Sequence, residues 1–435
     1  MPGNRVAACE SAGNWLPLTH LKPPALKHVP KLKIFNDPIY GFIRIPSRLL
    51  FDLIGHPYFQ RLRRISQMGM SYLVYPGAHH TRFHHALGAM HLMQNAVDLL
   101  RRKGLEITPE EENGLLCAIL LHDIGHGPFS HALENELIPG HSHEELSLRF
   151  MRQLNEEFSG QLEVAIEIFR GCYKKQFLNE LVSSQLDMDR LDYLKRDSFY
   201  TGVAEGNINS ERLITMLTVY DGKLVVEEKG IYSVEKFLMA RRFMYWQVYL
   251  HKTGLAAEQV LVRLLRRARE RYLDGKLEHC GRNLEYFLAL EGGGFPDTPE
   301  ALHRFAGLDD VDILAALKDW QSDPDPVLSR LCKMLLNRRL PAIKIKKKPI
   351  AESKLEGKIQ RVQAAWGLTR DEAGYFVFSG EIVNRAYNQD RQNINILREN
   401  GKIRDVASTS DQLNLQALSA DVVKHYICYP KKGVI

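Results

Sequence analysis

Leu115-Leu116-Cys117-Ala118-Ile119-Leu120-Leu121-His122-Asp123-Ile124-Gly125-His126-Gly127-Pro128-Phe129-Ser130-His131 is the stretch whose reading decides the fold. Seven apolar residues in succession predict a helix buried on every side, and where a strong helix former would be expected to end it stand an imidazole and a carboxylate. Gly125, Gly127 and Pro128 break the helix immediately beyond and leave room beside the pair. Neighbouring helical positions diverge by only about 100°, so His122 and Asp123 can reach one cation together, a nitrogen and oxygen set that suits a divalent transition metal.

Two ligands do not complete a site. Upstream, Arg82-Phe83-His84-His85-Ala86-Leu87-Gly88 opens another helix that can add His85; downstream, Leu186-Asp187-Met188-Asp189-Arg190-Leu191-Asp192-Tyr193 can add a second carboxylate. The expected centre is His/His/Asp/Asp with positions open for water and substrate. Of the 17 histidines, ten (His79, His80, His84, His85, His91, His122, His126, His131, His141 and His143) crowd this region. A histidine in a helix is ordinarily a packed or surface side chain. His79, His80, His84 and His91 have no helix break or acidic neighbour in their favour, and they are read as surface or supporting residues.

Around this centre the 435-residue chain reads as mainly α, with two or three domains' worth of sequence. Residues 1–30, with Pro17, Pro23, Pro24 and Pro30 and little periodicity, read as a flexible N-terminal arm. From 31 to 275 apolar residues recur at helical spacing, interrupted by a hairpin signal over Leu217 to Tyr232 around Asp221-Gly222, with helix resuming at Val234. Residues 276–340 continue as a helical extension. Residues 341–435 read as a small α+β C-terminal module: an alternating Ile343-Lys344-Ile345-Lys346, a strand from Tyr375 to Phe378, a hairpin from Ile394 to Val406 around Asn400-Gly401, and a strand from Val422 to Tyr429. Lys344, Lys346, Lys347 and Lys348 fit either a charged, solvated strand edge or a phosphate-binding patch.

Composition excludes several classes. With 45% hydrophobic and 25% charged residues the chain is neither disordered nor fibrous, and its 6 cysteines form no C-x-x-C pair, which argues against a zinc ribbon or redox dithiol. The longest apolar run, Leu115 to Leu121, falls far short of the ~18–20 residues of a membrane span, and the first thirty residues lack an apolar signal core, so a cytoplasmic protein without membrane contact is expected. A net charge of +6 suits a polyanionic partner, nucleotide or nucleic acid, and equally a basic solvated surface with no partner.

His85, His122-Asp123 and Asp189, in that order, resemble the ligand pattern of HD-domain metal phosphohydrolases. The words around them, Asn36-Asp37-Pro38-Ile39-Tyr40-Gly41, Phe59-Gln60-Arg61-Leu62-Arg63, Arg82-Phe83-His84-His85, His122 to His131 and Asp187 to Tyr193, are similar to the deoxynucleoside triphosphate triphosphohydrolase branch. The resemblance covers residues 31–275 and implies an HD-domain helical core. It implies one divalent transition metal (Mn, Fe, Ni or Zn) on His85, His122, Asp123 and Asp189, with additional Mg on the triphosphate. The reaction it implies is attack of water on the α-phosphorus of a dNTP, releasing deoxynucleoside and inorganic triphosphate. It places His126 and His131 beside the α-phosphate; His131 is the favoured general acid, and Glu134, one turn on, would orient it. His143 and Glu144 match a further pair near the reacting phosphate. Arg82, Arg190 and Arg241 match triphosphate contacts, Tyr193 and Asp197 sugar contacts, and Gln67 and Tyr249 other pocket positions. Arg190 stands where animal relatives carry lysine, keeping the charge and adding a bidentate fork.

Lys33, Asn36 and Arg63 match an allosteric nucleotide region, whereas Gly55 stands where animal relatives read guanine with an aspartate, so guanine-specific activation is not expected. A homodimer or higher homo-oligomer is implied. The rival readings are another HD phosphohydrolase acting on nucleoside monophosphates or cyclic nucleotides, and a non-catalytic binder of nucleotides or single-stranded nucleic acid.

Overall fold

The computed structural model describes residues 33–130, 136, 138, 140–278, 280–290, 294–384, 393–409 and 422–431; the arm expected over 1–30, His131 and Glu134 lie outside these residues. The described chain starts with an antiparallel hairpin, β1 (Lys33–Asp37) and β2 (Gly41–Ile45). Asp37 closes its turn by accepting the amides of Ile39 and Tyr40 at 2.9 and 3.0 Å.

Four helices then build the frame of the centre. α1 (Arg82–Arg102) begins at Thr81, whose hydroxyl pairs with the N3 amide while the His84 side chain returns to the Thr81 amide. α2 (Pro109–Leu121) starts from a Thr108/Glu111 capping box with Pro109 at its first position, and is buried without interruption from Gly114 to Leu121, as the apolar run requires. α3 (His143–Glu157) follows, capped by Ser142. α4 (Met188–Thr201) starts from the buried carboxylate of Asp187, which accepts the Arg190 amide at 2.7 Å, and ends at Gly202 in the left-handed region.

The expected hairpin is present as β3 (Leu217–Tyr220) and β4 (Lys223–Glu227), with Asp221 and Gly222 both at positive φ, the turn that matches strand twist. Helix resumes at Ile231, three residues before Val234, in α5 (Ile231–Met244). A π turn over Tyr245–Tyr249 leads to the long α6 (Lys252–Leu273). Shorter helices over Arg282–Leu288, Pro299–Ala306, Asp310–Trp320 and Pro326–Leu336 make up the extension.

The C-terminal strands divide between two sheets. β5 (Ala342–Lys346), β6 (Phe378–Asn384) and β9 (Val422–Tyr429) form an antiparallel sheet in the order β5-β9-β6, which packs Phe378, Ile382, Tyr426 and Cys428 on Ala256 of α6. β7 (Asn395–Leu397) and β8 (Ile403–Asp405) form the hairpin read around Asn400-Gly401, but β7 runs parallel to β4, so core and C-terminal strands share the sheet β3-β4-β7-β8. The strand expected from Tyr375 starts at Phe378. Tyr375, Phe376 and Val377 instead bond back to Glu372 and Ala373 as a turn after the short helix Arg370–Gly374, and the Phe376 ring packs edge-on against Trp366.

One apolar core runs from Ile43 to Ala407. Among the described residues no helix is long and apolar enough to cross a membrane, and Cys117, Cys172, Cys280, Cys332 and Cys428 are free thiols.

Candidate metal centre and substrate cleft

Three backbone features place four donors at one point. α1 presents His85 one turn in from its start, the end of α2 presents His122 and Asp123, and the first turn of α4 presents Asp189. His85 Nε2 lies 3.1 Å from Asp189 Oδ1, 3.6 Å from Asp123 Oδ2 and 3.4 Å from His122 Nε2. His122 Nε2 lies 3.4 Å from Asp123 Oδ1 and 3.5 Å from Asp189 Oδ1. The other ring nitrogens are engaged: His122 Nδ1 donates to the Ile119 carbonyl at 2.6 Å and His85 Nδ1 to Asp192 Oδ2 at 2.7 Å. Both Nε2 atoms therefore face the carboxylates, the side on which a ligating histidine meets its cation. His85, His122 and Asp123 are buried, and Asp189 is a quarter exposed, so the centre opens on its side.

The electrostatics are those of a cation site. Burial alone would raise Asp123, but Arg82, His122 and His85 hold it at about 2. Burial likewise opposes ionisation of Asp189, yet hydrogen bonds from His122 and His85 keep it well below the usual carboxylate range. Burial pulls His85 down, and its hydrogen bonds to Asp189 and Asp192 outweigh that and push it up to about 10. His122 is raised by Asp123 and Asp189 against the same burial. The residues present thus fit a divalent cation in donor type and charge, the two raised imidazoles holding protons that a bound cation would displace.

Each arginine expected on the triphosphate is tethered to an acceptor. Arg82 bonds Asp123 Oδ2 and, at 2.8 Å, Ser130 Oγ. Arg190 bonds Asp187, the cap of its own helix. Arg241 reaches Gln185 Oε1 at 2.9 Å. Arg190 and Arg241 both act on the buried Tyr193 hydroxyl, which burial, above all, pushes far up. Tyr249, in the π turn, donates to Asp197 Oδ2 at 2.7 Å; π turns recur at functional sites. The side-chain oxygen of Gln67 is buried and has no hydrogen-bond partner among the described residues.

A second donor group abuts the first. His126 Nδ1 lies 3.3 Å from Asp123 Oδ1, and its ring stacks on His143 with centroids 3.9 Å apart. Glu144 is exposed on the first turn of α3. Lys33, Asn36 and Arg63 are all exposed; Lys33 lies 5.1 Å over Phe51, and Arg63 lies 3.6 Å over Phe83, the residue after Arg82.

Several supporting residues escape a reading based on ligand spacing. His80, read only as a surface or supporting residue, is buried, meets Asp197 Oδ1 at 2.6 Å and stacks on Tyr200. Asp192 stands three residues after Asp189, on the same helical face, which was the available signal for its role behind His85. Arg61, fully buried, donates to the carbonyls of Ile124, His126 and Leu308 at 3.2, 2.7 and 2.9 Å, so it pins the turn carrying Asp123 and His126 to the extension.

Comparison with known proteins follows the same lines. An HD domain model matches residues 82–197, and a model described as HD associated region matches 208–282. The chain is 31% identical over 413 residues to the Bacillus subtilis uncharacterized protein YwfO, covering 92% of each chain. It is 32% identical over 245 residues to a Dictyostelium discoideum deoxynucleoside triphosphate triphosphohydrolase SAMHD1 homolog, covering 52% of this chain and 47% of that one, so it spans about half the length of that relative. The crystal structure of a phosphohydrolase from Bacteroides thetaiotaomicron superposes with a TM-score of 0.89 at 49% identity, covering 92% of this chain and all of that one.

Proposed function

Because this chain belongs to the HD-domain phosphohydrolases, we propose that it hydrolyses deoxynucleoside triphosphates to deoxynucleoside and inorganic triphosphate. What supports this reading is that an open His85/His122/Asp123/Asp189 donor set adjoins three tethered arginines and the Asp197–Tyr249 pair. A nucleoside monophosphate would have no use for three guanidinium groups.

His85, His122, Asp123 and Asp189 would hold a divalent metal (Mn, Fe, Ni or Zn), which would supply polarisation of the phosphoryl oxygen and a water of lowered pKa, and Mg would accompany the triphosphate. The chain's own groups do the rest. Arg82, by holding Asp123, places its charge beside the reacting phosphate, and Arg190 and Arg241 neutralise the remaining phosphates. As the water oxygen bonds to the α-phosphorus it gives up a proton to solvent, the bond to the deoxyribose 5′ oxygen breaks, and the leaving alkoxide takes a proton from His131, oriented by Glu134. His126 and His143, with Glu144, line the same phosphate. Asp197, held by His80 and Tyr249, would accept from the 3′ hydroxyl, and Tyr193 would help to select deoxyribose. Gln67 offers its unpaired oxygen to the substrate. A second nucleotide at Lys33, Asn36 and Arg63 would regulate a homodimer or larger assembly in the cytoplasm.

The deciding assay incubates Mn-loaded protein with each dNTP, alone and with a second nucleotide, and follows inorganic triphosphate. Release of pyrophosphate or monophosphate alone would refute the reading.

A further inference from the structure

Behind the ligand face of His85 runs a chain of buried charges that ligation does not account for. His85 Nδ1 meets Asp192 Oδ2 at 2.7 Å. Arg196 closes on both oxygens of Asp192, Nε on Oδ2 and Nη2 on Oδ1, each at 2.9 Å, and its Nη1 reaches Asp37 Oδ2 at 2.8 Å. The side chains of His85, Asp192 and Arg196 are wholly shielded from solvent, and that of Asp37 is 5% exposed. Asp37 belongs to the β1–β2 turn, which it caps with its other oxygen, and Tyr40 of that turn sets its ring 5.7 Å from the guanidinium. The chain thus starts in the hairpin and ends on a ligand.

Its composition is poorly explained by stability alone. Burying two carboxylates and a guanidinium is costly, and apolar side chains of equal volume would hold the hairpin against α4 at least as well. Arg196 uses its planar fork on two carboxylates from elements far apart in sequence, a geometry lysine cannot reproduce. The carboxylates outnumber the guanidinium, which leaves one net negative charge next to the His85 ring. A carboxylate on the far nitrogen of a ligating histidine fixes its tautomer and ring plane and makes the near nitrogen a stronger donor.

We propose that Asp37 and Arg196 are positioning residues for the metal centre: acting through Asp192 they hold the ring of His85, so that the β1–β2 hairpin sets the affinity and geometry of the bound cation. This rests on the assignment of His85, His122, Asp123 and Asp189 as ligands.

The test is a Co²⁺ titration of the full chain after chelation, followed by visible absorption, whose band pattern reports ligand geometry. Asp37→Asn keeps an oxygen for the Ile39 and Tyr40 amides and removes the charge facing Arg196. Its Co²⁺ affinity is expected to fall about 10–100-fold with an altered band pattern, while circular dichroism of the chelated protein shows the fold retained. Asp52→Asn, which removes only a surface pair with Arg48, leaves affinity and spectrum unchanged. A folded Asp37→Asn protein with wild-type affinity and spectrum overturns the proposal. Should that variant not fold, Arg196→Lys keeps the charge but cannot hold both carboxylates, and wild-type Co²⁺ affinity there overturns the proposal equally. Failure of the wild-type chain to take up Co²⁺ would overturn the ligand assignment, and with it this role.

Discussion

Gly88→Ala sets two physical effects against each other with opposite signs. Gly88 lies inside α1, one turn beyond His85, and on propensity alone alanine there would stabilise the helix by about 1 kcal/mol. A methyl group built at this position, however, would sit 2.0 Å from Asp192 Oδ1 and 2.1 Å from Arg196 Nη2. Those atoms belong to a fully buried ion pair between packed helices, so neither can retreat without giving up its partner. Overpacking a filled core costs about 1–3 kcal/mol, and disrupting a buried pair about 3–5 kcal/mol. Even with partial relaxation and the propensity gain, the variant should lose about 2–4 kcal/mol. Urea unfolding of the chelated protein, followed by circular dichroism, measures this directly. Because the displaced Asp192 carboxylate holds His85 through its other oxygen, Mn²⁺ affinity should fall together with stability. A variant as stable as wild type, or more so, would show that α1 and α4 are not in the close approach described, and the reasoning would fail.

Three further outcomes are expected. Asp189→Ala removes the most exposed of the four donors, and metal content of the purified protein, measured by elemental analysis, should drop together with any phosphohydrolase activity. Arg61→Met leaves three buried carbonyls without their donor and unpins the turn carrying His126; a loss of about 3–5 kcal/mol is expected by thermal or urea unfolding, and wild-type stability would contradict the role of that guanidinium. Glu258, on α6, is pushed up to about 7 by burial alone, above its ordinary value near 4.5. The native state therefore holds this proton more tightly than the unfolded chain, so the contribution is fully present below about pH 4.5 and is lost as pH rises through 7. Glu258→Gln should remove up to ~3 kcal/mol of that decline; parallel melting curves for both proteins from pH 5 to pH 8 would sink the idea.

What could be read from the sequence and what could not divides along contact distance. His122 and Asp123 announce themselves because everything that makes them unusual, the apolar run before and the Gly and Pro after, lies within one short stretch. The β3–β4 and β7–β8 hairpins are readable for the same reason, since each turn carries its own positive-φ residue. The parallel pairing of β4 with β7 has no local mark, because nothing in Val226 or Ile396 names the other. His80 cannot be told from a surface histidine on the same ground: its partner Asp197 lies 117 residues away. The Tyr375 to Phe378 reading failed differently, because an unbroken aromatic and β-branched run suits a strand, while the Thr369 capping box commits Tyr375 to a helix end first. The charges behind His85 are the sharpest case, with Asp192 and Asp37 reached across 107 and 159 residues. Yet one local trace of them existed. A glycine in the middle of a helix that is otherwise well formed sacrifices stability for space, and at Gly88 the space is filled by the pair that holds His85. Ligand identity is thus written locally, whereas the orientation that makes a ligand effective is written in pairs distant in the chain, and small residues are where the second leaves its mark on the first.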